Sequence, residues 1–331
     1  MKTFTKSLAA ALCASSVLFS GPALADHHAE QEAAAAAEVE AAADAAANVE
    51  AAGDAVEAAV GGETQTGTPA MWKVADEDTT IYLFGTVHAL PKEVNWLNSS
   101  ISDALGSSDS IVTEILMDDS VEAKMVQLVG AKGILPADTT LRSLLDEEQK
   151  ATYEAALGKL GMPAAAFDRF EPWYAGMVLT MLPLMQQGYS PDAGVEKILI
   201  DQAGEKDRAA LETIEFQIGL FDGLPQESQI AFLVETADNV DEIKSQLDAM
   251  VAEWLEGDAD DLAKLMNEGM TDKTLAEQLL YARNRNWANW IDERLDTPGT
   301  VFIAVGAGHL AGEESVQDAL EDLGIVTQRV Q

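Results

Sequence analysis

The sequence predicts an α/β domain: a central mixed β-sheet built from N- and C-terminal strands, with a large helical insertion between them. Three observations carry this reading. Short apolar runs of strand character, Ile81-Tyr82-Leu83-Phe84 and Val301-Phe302-Ile303-Ala304-Val305, stand near the two ends of the folded part. A 3.6-residue apolar period dominates from about 121 to 295. Each of the two runs also ends in the same pattern, Gly85-Thr86-Val87-His88 and Gly306-Ala307-Gly308-His309.

Residues 1–25 read as a secretory signal. Lys2 and Lys6 precede an apolar segment from about Leu8 to Phe19, and Ala23-Leu24-Ala25 forms a small-residue cleavage site, so cleavage is expected after Ala25 and the chain is expected to be periplasmic or secreted. Residues 26–70 collapse to alanine and acid. Alanine favours helix, but no apolar stripe exists to bury, so the segment reads as a linker of fluctuating helicity. The folded domain is expected over 71–331. It opens with a hairpin, Met71-Trp72-Lys73-Val74 and Thr80 to Phe84, turned by Asp76-Glu77-Asp78. A helix over Ser99 to Leu105 follows, then a strand, Ser110 to Thr113, that delivers Glu114. Within the helical insertion at about 121–295, punctuated by Gly133, Pro136, Gly161, Pro163, Pro172, Gly188, Pro191 and Pro225, the stretch Arg208 to Glu212 is expected to return to the sheet. The chain closes with strand Thr300 to Val305, helix Glu313 to Leu323, and strand Ile325 to Val330.

Composition narrows the function classes. A formal charge of −37 excludes nucleic acid as the main partner, because phosphate recognition needs clustered Lys and Arg. The single cysteine, Cys13, lies inside the signal segment, so the mature chain has no thiolate nucleophile and no Cys-ligated metal. Beyond the signal no apolar run reaches the ~20 residues that span a bilayer, which argues against stable membrane insertion after cleavage.

The four histidines are the sharpest signal. His27 and His28 border the cleavage point, and the other two, His88 and His309, occupy the matching strand-end motifs. One Gly-x-x-His means little, since a strand-end histidine is more often a structural hydrogen-bonding residue. Two that hold every histidine of the domain reverse that weighting. In open α/β sheets, ligands sit beyond the carboxyl ends of the strands. If the strands ending at Phe84, Thr113 and Val305 run parallel, His88, Glu114 and His309 converge on one rim. Two imidazoles and a carboxylate form a three-ligand set for a divalent ion with an open water position. Glu212 is the candidate second carboxylate for proton transfer, and one of Arg283 and Arg285 is a candidate for holding a carboxylate or an oxyanion. Trp287, Trp290 and Ile291, like Met177, Met181 and Met185, fit apolar helix stripes. No phosphate loop, Gly-x-Ser-x-Gly elbow or His-Glu-x-x-His helix is present.

From Met71 to Val330 the chain resembles the TraB/GumN family, relatives of the Tiki metalloproteases in the wider group that includes erythromycin esterase and ChaN-like proteins. The resemblance rests on Trp72-Lys73-Val74; Tyr82 through Pro91; Ser108-Asp109 through Glu114; Gly194-Val195-Glu196; Leu211-Glu212-Thr213 with Gln217; Leu224-Pro225; Arg283-Asn284 with Trp287; and Phe302 through Gly312. It implies an α/β core whose paired Gly-x-x-His motifs and glutamate form the active site, and, by its Tiki-like members, divalent-metal-dependent peptide cleavage. Manganese or cobalt are the implied ions, with zinc a further option. Residue by residue, His88, Glu114 and His309 match the site, Gly85 and Gly306 match the glycines that would border the bound ion, and Glu212 and Arg283 match recurrent positions. Two departures stand out: the Ala/Glu linker lies outside the family domain, and the membrane anchor of Tiki proteins is missing. The expectation is an exported metal-dependent hydrolase, a peptidase on the resemblance, acting on a peptide or small-molecule substrate. Two alternatives stand beside it: a metal-independent esterase-like hydrolase with histidine as base, and a non-catalytic periplasmic metal- or haem-binding protein.

Overall fold

A computed structural model of the chain describes residues 66–116, 118–267 and 273–331; the signal segment and nearly all of the Ala/Glu linker lie outside the described residues. The expected hairpin is present as β1 (Met71–Ala75) and β2 (Thr79–Thr86), paired antiparallel from Met71↔Phe84 to Ala75↔Thr80. Its acidic turn is held by Asp76, whose carboxylate accepts the Asp78 and Thr79 N–H groups. Strand β7 (Gly299–Gly306) lies parallel to β2 in a register running from Thr79↔Gly299 to Thr86↔Gly306. The two Gly-x-x-His turns therefore leave the sheet side by side. Strand β4 (Ser110–Thr113) pairs parallel with the other edge of β7. The three strands therefore run parallel, as convergence of their ends requires, at the centre of a six-stranded mixed sheet of order β6 (Asp207–Ala210), β4, β7, β2, β1, β8 (Gln328–Arg329).

The edges are shorter than the sequence suggested. Strand β6 (Asp207–Ala210) ends before Leu211 and Glu212. Strand β8 keeps only Gln328–Arg329 of the expected Ile325 to Val330. The cause is the end of helix α12 (Val316–Asp322): Gly324, at φ 81°, turns the chain and the Ile325 N–H returns to the Leu320 carbonyl, so Ile325 finishes a helix cap. That helix also begins later than Glu313, because Ser315 caps it through the Asp318 N–H. A two-stranded ribbon, β3 (Leu90–Pro91) with β5 (Tyr189–Ser190), was not foreseen.

Strand alternation gives the sheet two buried faces. Ile81, Leu83, Val301, Ile303, Val305 and Val112 face helix α11 (Ala282–Leu295) and α12, packing on Trp287, Ile291 and Leu320. Phe84, Phe302, Ala304 and Ile111 face the helices of the insertion. On that side α1 (Ser99–Ser107) and α5 (Val195–Ala203) lie against the sheet, and Trp254 of α8 (Ile243–Glu256) joins Phe84 and Trp96 in an aromatic cluster. Farther out, α4 (Pro172–Met185) packs on α7 (Gln226–Asp238), and the Met177 and Met181 stripe is core, as its spacing indicated. Among the described residues no helix is long and apolar enough to cross a membrane.

Candidate functional site

The carboxyl ends of β2, β4, β6 and β7 carry a buried polar network. Glu114 follows β4 directly, and alternation along that strand, with Ile111 on the insertion side and Val112 on the α11 side, turns its side chain toward α11. Glu212 is brought beside it because the chain leaving β6 stays in step with the chain leaving β4: the Leu211 N–H reaches the Thr113 carbonyl and the Glu212 N–H the Glu114 carbonyl at 2.8 Å.

Arg283 enters from the first turn of α11. The turn before it, Glu277–Tyr281, is a wide π-helical one, and the Leu279 carbonyl accepts Arg283 Nη1 at 2.9 Å. Its Nε donates to Glu212 Oε1 at 2.8 Å, and Nη2 donates to Glu114 Oε2 at 2.7 Å and to Glu212 Oε2 at 2.9 Å. The guanidinium carbon sits 4.9 Å from the Trp287 ring centroid, and the Trp287 indole N–H also donates to Glu212. Burial works against the charge of this guanidinium, but Glu114 and Glu212 hold its pKa above even its usual high value. Gln217 spans the two carboxylates with one amide nitrogen, 2.9 Å from each, and the Gly306 N–H donates to Glu114 Oε1 at 2.8 Å. Two carboxylates face one guanidinium, so the cluster is formally one negative charge in excess in a place with little water.

His309 joins this cluster. Its Nδ1 lies 2.5 Å from Asn284 Oδ1, its Nε2 lies 3.1 Å from Arg283 Nη1 and 4.0 Å from Glu114 Oε1, and its ring packs on Trp287 at 4.2 Å between centroids. Since Arg283 can only donate, both contacts are satisfied by a neutral imidazole with its proton on Nδ1 and its Nε2 lone pair toward Arg283.

His88 is held from the opposite face of the sheet. Its Nδ1 lies 2.5 Å from Glu196 Oε1, and the same oxygen accepts the Thr86 hydroxyl at 2.5 Å. Glu196 reaches it because α5 starts against the β2 exit: the Val195 N–H bonds the Val87 carbonyl, and Gly194 passes so close that a Cβ there would lie 2.3 Å from the His88 carbonyl oxygen. Burial lowers the His88 pKa, but the charge and hydrogen bond of Glu196, with the charge of Glu114, outweigh it, so His88 stands above its ordinary value; Arg283 pulls the other way. Burial raises Glu196, and His88 and Thr86 overcome that to hold it below the usual carboxylate range.

The structure thus brings Glu114, Glu212, Arg283 and His309 into direct contact, and couples His88 to them through space. The ligand atoms of His88, Glu114 and His309 are not all within 4.8 Å of one another; among the described residues the acidic or histidine group that meets that spacing is Glu253, Asp258 and Asp261 on the surface of α8 and α9 (Ala259–Asn267). Of the two candidate arginines, Arg283 is the buried one, while Arg285 pairs with Glu277 and Glu314 at the surface. Gly306 supplies a backbone donor to Glu114, whereas Gly85 accepts the Trp254 indole N–H at 2.8 Å and leaves room for a close approach: a Cβ there would lie 3.0 Å from Ala307 Cα. Sequence reasoning attaches no chemical role to Glu196, Asn284 or Gln217. All three are polar residues inside the resemblance motifs, which was the signal the sequence offered, and all three are buried in the structure.

A model of the TraB/PrgY/gumN family matches residues 70–329. An uncharacterized protein of Treponema pallidum (strain Nichols) is 23% identical over 266 residues, 75% of this chain and 79% of that protein. No solved structure matches the chain.

Proposed function

This chain belongs to the TraB/PrgY/gumN family, and from that premise we propose that it is a metal-dependent hydrolase, a peptidase, whose ion is held by His88, His309 and Glu114. The observation that supports the reading most is the state of the two imidazoles. In each, Nδ1 is engaged by an oxygen acceptor, the Glu196 carboxylate for His88 and the Asn284 amide for His309. Metal-ligating histidines are oriented in this way, with Nε2 as the ligand atom. The donor set fits a divalent ion in two further respects. His309 Nε2 and Glu114 Oε1, 4.0 Å apart, are within reach of one ion at ~2.1 Å from each, and the excess negative charge of the cluster favours a cation.

A divalent ion held by His88, His309 and Glu114 would supply a Lewis acid and lower the pKa of a water molecule. The chain's own residues do the rest. Glu196 and Asn284 fix the imidazole planes and tautomers, Gln217 and the Gly306 N–H fix the Glu114 carboxylate, and Arg283, whose donors are engaged by Glu212, Glu114, Leu279 and His309, ties these groups into one unit. Glu212 anchors Arg283. Export through residues 1–25 is part of the same proposal and places substrates outside the cytoplasm.

The test is metal analysis of the purified chain beside hydrolysis of a peptide library, with and without chelator. Metal content near one ion per chain, loss of hydrolysis on chelation, return with manganese or cobalt, and loss of both metal and activity in His88→Ala and His309→Ala are expected. Full activity in a metal-free His88→Ala/His309→Ala double variant would sink the reading. One observation favours a second, metal-independent hydrolase: the short His88–Glu196 contact is also the arrangement of an oriented general base. Chelator-resistant hydrolysis that falls in both His88→Ala and Glu196→Gln would select it.

A further inference from the structure

Arg283 occupies the place where the proposed ion would act. Its Nη1 takes the lone pair of His309 Nε2 and its Nη2 takes Glu114 Oε2, so a single guanidinium holds two of the three proposed ligands. The third, His88, is held by Glu196 on the other face of the sheet, and the three ligand atoms stay outside a common 4.8 Å. A guanidinium and a divalent cation cannot share one nitrogen lone pair, and as like charges they repel strongly where water is scarce.

We propose that Arg283 is the resident cation of the metal-free site, standing in for the ion, and that it releases His309 Nε2 when metal binds. This rests on the metal reading above and gives it a consequence of its own. Metal-free, the guanidinium offsets one of the two buried carboxylate charges and keeps His309 in the neutral tautomer that a metal needs. On binding, Nη1 leaves His309 while Nε stays on Glu212 Oε1, because that second carboxylate and the Trp287 ring keep an anchor for it. Arg283 is in this view a positioning residue. Glu212 explains why a second carboxylate lies beside the first: it retains the arginine that has to yield.

The alternative is a purely structural arginine that preorganises the ligands, and the two predict opposite signs. Metal affinity of the chelator-stripped chain is measured by titration calorimetry with manganese ion for the wild type, Arg283→Met and Arg283→Lys. A competitor that is removed leaves binding tighter, by about tenfold or more for Arg283→Met; Arg283→Lys, which keeps the charge, stays within about threefold of the wild type. Equal or weaker binding by Arg283→Met overturns the proposal while leaving the metal reading intact. Uptake by neither chain overturns both. Should Arg283→Met fail to fold, the wild type alone decides by NMR. The Arg283 Nη1–H signal, from the group that donates to His309 Nε2, is followed as zinc is added. A shifted, faster-exchanging signal supports release, and an unchanged signal with zinc bound overturns it.

Discussion

Glu196 and Asn284 determine what the two histidines can do, and neither contact is visible from the Gly-x-x-His motifs themselves. The Glu196–His88 pair yields a prediction with a definite pH window. Glu196 is depressed below its ordinary 4.5, so its contribution to stability is present above about pH 4.5 and is lost as pH falls through the depressed value. His88 is raised above its ordinary 6.5, so its contribution is present below about pH 6.5 and is lost as pH rises through the raised value. The difference in melting temperature between wild type and Glu196→Gln is therefore largest between about pH 4.5 and 6.5 and narrows on both sides. A gap independent of pH would show that no ion pair forms. Glu114 gives the second residue-scale prediction. Glu114→Ala leaves Arg283 short of one carboxylate and strands the Gly306 N–H, a loss of about 3–5 kcal/mol in urea unfolding. Glu114 was legible because it ends a short, clear strand. The role of Glu196 was not, because its partner lies more than a hundred positions earlier and only the packing of a helix against the β2 exit joins them.

At the scale of elements, the site depends on two close approaches that glycine permits. A Cβ on Gly85 would press Ala307 Cα at 3.0 Å, an overlap that a shift of a few tenths of an ångström relieves; a Cβ on Gly194 would lie 2.3 Å from a backbone carbonyl, which cannot be relieved without parting α5 from β2. Gly85→Ala is expected to cost about 1–3 kcal/mol and Gly194→Ala more, with Gly194→Ala also lowering the His88 pKa, read from its NMR titration. Equal costs would show that the β2–α5 contact is not tight. A separate effect belongs to α7. Burial raises Glu235 to about 7, and its Oε1 is buried without a hydrogen bond. A raised carboxylate pKa means that stability falls as pH climbs from about 4.5 through 7, so Glu235→Gln should raise the melting temperature at pH 8 and leave it nearly unchanged at pH 5. The elements themselves were largely legible: periodicity and turn residues gave the hairpin, β4, β7 and the helical insertion. What failed was at the edges. The expected strand Ile325 to Val330 has apolar strand character, but the Gly324 cap takes Ile325, and Val326 is left 82% exposed.

For the whole molecule, the sheet order β6-β4-β7-β2-β1-β8 interleaves strands of the two halves of the chain, with the β2–β1 hairpin as the one pair of neighbours from the same half. Strands β1, β2 and β4 come from before α5, and β6, β7 and β8 from after it. The site divides the same way: His88, Glu114 and Glu196 lie in the first half, and Glu212, Arg283, Asn284 and His309 in the second. Neither half can build the six-stranded sheet alone. The first keeps its β1–β2 hairpin and the β3–β5 ribbon but lacks β7, which separates β4 from β2; the second has three strands with no partner among themselves. The N- and C-terminal convergence on one rim was legible because both strands end in the same motif. The interleaving was not, since strand order depends on which apolar faces meet across a long insertion. It is testable by cutting the chain at the exposed turn after Gly204, where φ is 58°. Fragments 26–204 and 205–331, expressed apart, are expected to lack a cooperative thermal transition. Mixed or coexpressed, they are expected to co-elute as one particle, to recover the near-ultraviolet dichroism of buried Trp287, and to melt lower than the intact chain, because joining them costs association entropy that the covalent link removes. A first fragment that melts cooperatively alone would show that its strands pair without β7, and the site would then belong to two separable domains.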